Sequence, residues 1–225
     1  ATLHSGPKIG LDGAALLTGG DFGQVESALY GDQAASGTIG GRGTFSAKGT
    51  SEAELVSSLG GEGSFSASKV SVQKNNSGHL GPISALLSAL DALGGTLLGD
   101  RAEGQAEVSG SFKIENGVAK SDDLAFATTA GDGKATGTAD LPNWRLDLTG
   151  DVALSQNLVS KLLSTTTGAE LVLPLRIKGP LDEPRVIIET KRLPGKVLSI
   201  PGQVIEKTLD RTGLGNVLKK LLPAQ

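Results

Sequence analysis

The chain has 225 residues, 33 of them Gly and only 3% aromatic, which suits one or two domains built around a thin aliphatic layer. A formal net charge of −3, with no stripe of Lys and Arg interleaved with aromatics, argues against a nucleic-acid binder. The absence of Cys excludes disulfides, thiolate metal sites and Cys nucleophiles. The charge is unevenly spread: from Pro174 onward ten Lys and Arg face five Asp and Glu, a local +5 that leaves −8 for the rest.

Strand patterns dominate the chain from Ser36 onward. The stretch SGTIGGRGTFSAKG (Ser36–Gly49) places Ile39, Phe45 and Ala47 on one face, because side chains alternate across a strand. TSEAELVSSLGG then puts Ser51 and Glu54 in capping-box register for a short helix, with Gly60 as its stop. GEGSFSASKVSV (Gly61–Val72) resumes the alternation with Phe65 and Ala67 and changes phase at Val70 and Val72, the mark of a β-bulge. A helix follows over 82–98, where Ile83, Leu86, Leu87, Leu90 and Leu93 recur at helical spacing behind Pro82.

GSFKIENGVAKSDDLAF (Gly110–Phe126) sends Phe112 and Ile114 to one face and turns at Asn116-Gly117, a dipeptide suited to a type I′ hairpin. Asp132-Gly133 reads as a further turn, before the strand GKATGTADL. NWRLDLTGDVAL aligns Trp144, Leu146, Leu148, Val152 and Leu154, and a short helix is expected over 155–164. ELVLPLRIKG aligns Leu171, Leu173, Leu175 and Ile177, and PRVIIET closes the sheet at an edge, since Pro184 has no N–H to give a ladder. The tail carries Val204, Ile205, Leu209, Val217, Leu218, Leu221 and Leu222 beside Lys207, Arg211, Lys219 and Lys220, the pattern of an amphipathic helix that either lies on an anionic membrane surface or, since Glu206 and Asp210 dilute its basic face, packs as an ordinary helix with solvated lysines. The phrase Gly-Thr/Ser-Phe recurs at Gly43, Gly63 and Gly110 without a fixed period, so the chain reuses one strand type and is no solenoid.

Little of this suggests chemistry. His4 and His79 each lie in polar, turn-rich sequence and read as solvated loop residues. Asp122 and Asp123 are adjacent, so in a regular strand they point to opposite faces and cannot share a reaction centre. The GGRG and GGEG stretches lack the GxxxxGK[ST] pattern and precede strands, and no GxSxG or HExxH occurs. The expectation is a protein without catalytic residues, metal or cofactor.

Three stretches together resemble the C-terminal domain of the AsmA-like family of bacterial envelope proteins. They are GRGTFSAKGTSEAELVSSLGGEGSFSASKVSV, AEVSGSFKIENGVAKSDDLAFATTAGDGKATGTADLPNWRLDLTGDVAL and LVLPLRIKGPLDEPRVII, covering about Gly37 to Ile188. QKNNSGHLGPISALL departs from the pattern, standing where many members have a compact turn. The resemblance implies a mainly β fold: a curved, elongated antiparallel sheet shaped like a half-pipe, with a few short helices. The expected division is a β domain over 1–193 and a C-terminal amphipathic helical tail over 194–225. It also implies a periplasmic protein of a Gram-negative bacterium, held at the inner membrane by an N-terminal segment that precedes Ala1.

The activity implied is non-enzymatic: shielding or conducting phospholipid, or another acyl-chain lipid, along an apolar groove in support of outer-membrane biogenesis. The groove would be lined by Phe45, Phe65, Phe112, Ile114, Trp144, Leu146, Leu148, Leu173, Leu175 and Ile177, and the partners would be the inner and outer membrane surfaces and envelope proteins. The alternative is an assembly module that docks on other envelope proteins through its sheet edges, with no lipid handling.

Overall fold

The computed structural model describes residues 2–4, 8–31, 35–72, 84, 87, 105–129, 131–156, 172–181 and 184–189. Ten strands form one sheet: β1 Thr2–His4, β2 Ile9–Asp21, β3 Ala35–Gly49, β4 Gly60–Val72, β5 Ala106–Glu115, β6 Val118–Thr128, β7 Gly131–Asp140, β8 Arg145–Leu154, β9 Val172–Pro180 and β10 Arg185–Ile188. Among the described residues, two helices have defined bounds, α1 Phe22–Tyr30 and α2 Glu52–Ser57. Strand order in the sheet is chain order from β1 to β10, every neighbouring pair is antiparallel, and no pairing joins the two edges among the described residues. The mainly β, open antiparallel architecture read from the alternation is therefore the architecture found.

Local chemistry accounts for most boundaries. Asn116 and Gly117 have φ of 52° and 75°, the two positive values a type I′ turn needs. Ser51 caps α2, its hydroxyl accepting from the Glu54 N–H, while the Glu54 carboxylate reaches back to the Thr50 N–H and hydroxyl. The helix ends at Ser57 with Ser58 as its C-cap, and Gly60 opens β4 instead of stopping the helix. The phase change in β4 is a bulge between Ala67 and Val70, with Lys69 at φ 53°, and it turns both Ala67 and Val70 into the core.

Further readings of the sequence are corrected. β2 and α1 occupy residues before Ser36 where no element was expected, and His4 lies in β1 instead of a loop. Asp132-Gly133 is not a turn: β6 ends at Thr128, β7 begins at Gly131, and Gly133 sits inside the strand. Its hydrogen side chain is required there because the Phe126 ring and the Asp151 carbonyl occupy the space a β-carbon would take. Trp144 is not on a strand but closes the turn before β8, with φ of 53°.

One face of the sheet holds the core. Buried residues from Phe22 and Ala35 through Val70, Val108, Phe126 and Val152 to Ile177 and Leu181 form a single cluster. The sheet must curl to permit this. Phe65 on β4 and Ile177 on β9 line the same cavity of about 230 Å³, yet five strand spacings of about 4.8 Å would hold them about 24 Å apart in a flat sheet. Extra residues in β2, β4 and β6 bulge those strands and add local bend and twist.

Of the helix expected over 82–98, Ser84 and Leu87 are described. Both are helical and buried, and Leu87 belongs to the core cluster with Phe22 of α1. The remainder of that helix, the 155–164 helix from 157 on, Leu171, His79, and the tail with Lys207, Arg211, Lys219 and Lys220 lie outside the described residues.

Candidate functional site

The strand register determines which side chains share a face, since directly opposed residues in an antiparallel pair point the same way. Phe45 opposes Gly61, which opposes Ile114. Gly63 opposes Phe112, and Phe65 lies between Gly41 and Gly110. Ile114 opposes Ala119, Ala119 opposes Ala139, and Ala139 opposes Leu146. Leu148 opposes Ile177, Gly150 opposes Leu175, and Val152 opposes Leu173. The alternation within each strand then joins these rows, so Phe45, Phe65, Phe112, Ile114, Leu146, Leu148, Leu173, Leu175 and Ile177 stand on one continuous inner face.

Trp144 does not join them. Its ring is on the rim, 42% exposed, and its backbone is fixed by its N–H to the Leu141 carbonyl and by its carbonyl accepting from the Leu181 N–H. That rim is a chain of stitched turns. The Gly117 N–H donates to the Leu59 carbonyl at 2.8 Å, the Leu141 N–H to the Gly117 carbonyl at 3.0 Å, and the Leu181 N–H to the Trp144 carbonyl at 3.1 Å.

The inner face alternates large with small. Each phenylalanine of the strands has a glycine directly beside it on a neighbouring strand: Phe45 with Gly13 and Gly61, Phe65 with Gly41 and Gly110, Phe112 with Gly63, Phe126 with Gly133. A concave surface has less area than the convex one behind it, so empty positions beside each ring allow the curl without overpacking. The result is the thin, smooth apolar layer that the composition implied.

The cavity on this face is lined by Phe65, Val108, Phe112, Leu124, Phe126, Ala135, Leu146, Leu148 and Ile177, among others, and its accessible lining is apolar throughout. Ser121 is buried at this face, but its hydroxyl is spent on the Asp123 carboxylate at 3.2 Å. Asp123 in turn fills an irregularity in the ladder between β5 and β6, accepting from the Ser111 N–H and the Ser111 hydroxyl, each at 2.8 Å. The Ser111 backbone N–H, then its hydroxyl, hold the Asp123 carboxyl below the usual carboxylate range. Its work is structural.

The outer face is polar and ionic. A larger, shallower depression of about 660 Å³ lies there, ringed by Arg42, Glu62, Lys113, Lys120 and Asp122. Two ion pairs stand at it: Lys113 meets Glu115 at 2.6 Å and Lys120 meets Asp122 at 3.0 Å. This depression is the larger of the two, but it is shallow and solvated, and the ion pairs beside it are exposed. Among the described residues no group of three His, Cys, Asp or Glu is placed to hold a metal ion, and no helix is long and apolar enough to cross a membrane.

No family model, curated protein or solved structure matches the chain. What the inner face can do follows from its own geometry. Sequence patterns did not point to Glu26, a buried carboxylate of α1 that accepts from the Ser84 hydroxyl, nor to the exposed Leu16 and Leu17 of β2.

Proposed function

We propose that the curled inner face shields the acyl chains of phospholipid, or of a similar lipid, from water, and does so without catalysis. The observation that carries this reading is the shared register of nine apolar side chains from β3 to β9, with an apolar cavity among them. At about 230 Å³ the cavity falls below the roughly 300–1,000 Å³ of ordinary ligand pockets, so it suits a length of hydrocarbon running along a groove better than an enclosed small molecule. Each methylene withdrawn from water there contributes about 0.8 kcal/mol. With no free polar group on the groove floor, the site grips chains and leaves headgroups unselected. The resemblance to the AsmA-like family is what favours a setting in the periplasm of a Gram-negative envelope, between inner and outer membrane.

The test is mass spectrometry of organic extracts from the purified protein and from a Leu148→Asp/Leu173→Asp variant. Phospholipid near one equivalent in the wild type, lost from a variant that circular dichroism shows to be folded, supports the groove as a lipid site. Lipid-free extracts from both proteins overturn it.

A further inference from the structure

Asn116-Gly117 is the one Asn-Gly step in the sequence. The Asn116 side chain is exposed, and its carbonyl carbon can close a succinimide ring with the Gly117 backbone nitrogen, which no β-carbon shields. In an unfolded chain such a step rearranges in water alone. The nitrogen loses its proton and bonds to the side-chain carbonyl carbon, and ammonia leaves. Water then opens the succinimide at either carbonyl, giving aspartate or, with an extra carbon in the backbone, isoaspartate. The fold opposes the first of these steps. Gly117 is buried, its N–H donates to the Leu59 carbonyl at 2.8 Å, and the Val56 carbonyl and the Pro142 ring lie over its α-carbon. Leu59 is itself tied to α2, its N–H donating to the Val56 carbonyl at 3.2 Å. The type I′ turn fixes both backbones, with φ of 52° and 75°.

We propose that Asn116 is a self-modification site, locked while the Leu59 carbonyl holds the Gly117 nitrogen and reactive when that contact opens. The isoaspartate product acts on the rim itself. Gly117 is stitched on both sides, its N–H to Leu59 and its carbonyl to the Leu141 N–H at 3.0 Å. An extra backbone carbon lengthens the turn between β5 and β6, so Gly117 moves off both partners. The new carboxylate also stands beside Glu115, whose own charge already meets Lys113. Hydrolysis of the succinimide does not regenerate the amide, so each opening that ends in isoaspartate leaves α2 and the turn before β8 unstitched from the β5–β6 hairpin. The inference stands apart from the lipid reading, since the reaction needs only this turn and water.

Peptide mapping by mass spectrometry of protein held in mildly alkaline buffer tests it, beside hydrogen exchange at the Gly117 amide in the same buffer. The urea-unfolded chain is expected to convert Asn116 fastest, and the folded chain to be slower by the factor by which the fold protects the Gly117 amide. Ser51→Ala removes the cap of α2 and is expected to stay folded by circular dichroism; it should speed conversion and exchange severalfold, both by the same factor. Isoaspartate-bearing protein purified from the incubation should exchange its Leu141 amide faster than the unmodified chain. Folded protein that converts as fast as the unfolded chain, a Ser51→Ala protein that converts no faster than wild type, or an isoaspartate form whose Leu141 amide stays protected would each overturn the proposal.

Discussion

The Phe112 ring lies over Gly63 of the neighbouring strand, so close that a β-carbon on that glycine would sit 2.6 Å from the ring's Cζ. The pairing sets both the depth of the inner face and the position of an aromatic that lines its cavity.

Gly63→Val would drive the ring off its site and also press on the Arg42 carbonyl. Overpacking of this kind costs about 1–3 kcal/mol, and the expected result is a lower urea midpoint with an unchanged denaturant slope. Phe112→Leu in the same background should recover part of the loss, because it removes the clashing atoms.

Asp123→Ala should lower the melting temperature by a few degrees at neutral pH, since the Ser111 N–H and hydroxyl lose their acceptor. The pH dependence has a definite sign. The folded-state pKa is depressed, so the ionised carboxylate contributes stability above its unfolded value, and that contribution is lost as pH falls through the folded value. Melting curves of wild type and variant should therefore converge in acid and separate toward neutrality.

Gly117→Ala places a β-carbon at a φ of 75° and within 2.5 Å of the Val56 carbonyl oxygen. The left-handed backbone alone costs an alanine about 1–2 kcal/mol, and the crowding adds to it. Hydrogen exchange should show the loss first at the Gly117 and Leu141 amides, which stitch the rim.

Asp147→Asn removes an ion pair that Arg176 makes with both ends of its guanidinium fork, its Nε standing 2.8 Å from Oδ1 and its NH2 nitrogen 2.5 Å from Oδ2. Arg176 holds the Asp147 carboxyl below the usual range. Both side chains are substantially exposed, so the expected change in unfolding free energy is small, about 0.2–1 kcal/mol, and shrinks further at high salt. A larger loss, insensitive to salt, would contradict a solvated bridge.

The strands from β3 to β9 were legible because each alternates apolar or small residues with hydroxyls or charges. β2 was not. Gly13-Ala-Ala-Leu-Leu-Thr-Gly-Gly20 is small or aliphatic on both faces, so the period of two that marks a half-buried strand is missing from it. Asp132-Gly133 shows the reverse failure: the dipeptide favours turns, yet the packing of Phe126 decides its place, and that ring comes from another strand. Trp144 extends the alternation of Leu146 and Leu148 by one step, but Pro142-Asn143 turns the chain just before it, and no local rule says where such a turn ends. The apolar residues of the site could be named from sequence. Their alignment into one face could not, because register is a property of strand pairs.

Strand order that follows chain order has a consequence for how the sheet is made and changed. Each strand as it leaves the ribosome meets an edge supplied by the one just before it, so assembly can proceed vectorially; the longest connections are residues 73–105 between β4 and β5 and 155–171 between β8 and β9. Stability then accumulates by nearest-neighbour steps, as in a linear array, and an end strand can be gained or lost without re-registering the interior. Because successive strands run in opposite directions, the natural increment is a hairpin. Two strands lengthen the apolar face by about 10 Å and return the chain to the same rim, whereas a single strand would deliver it to the other.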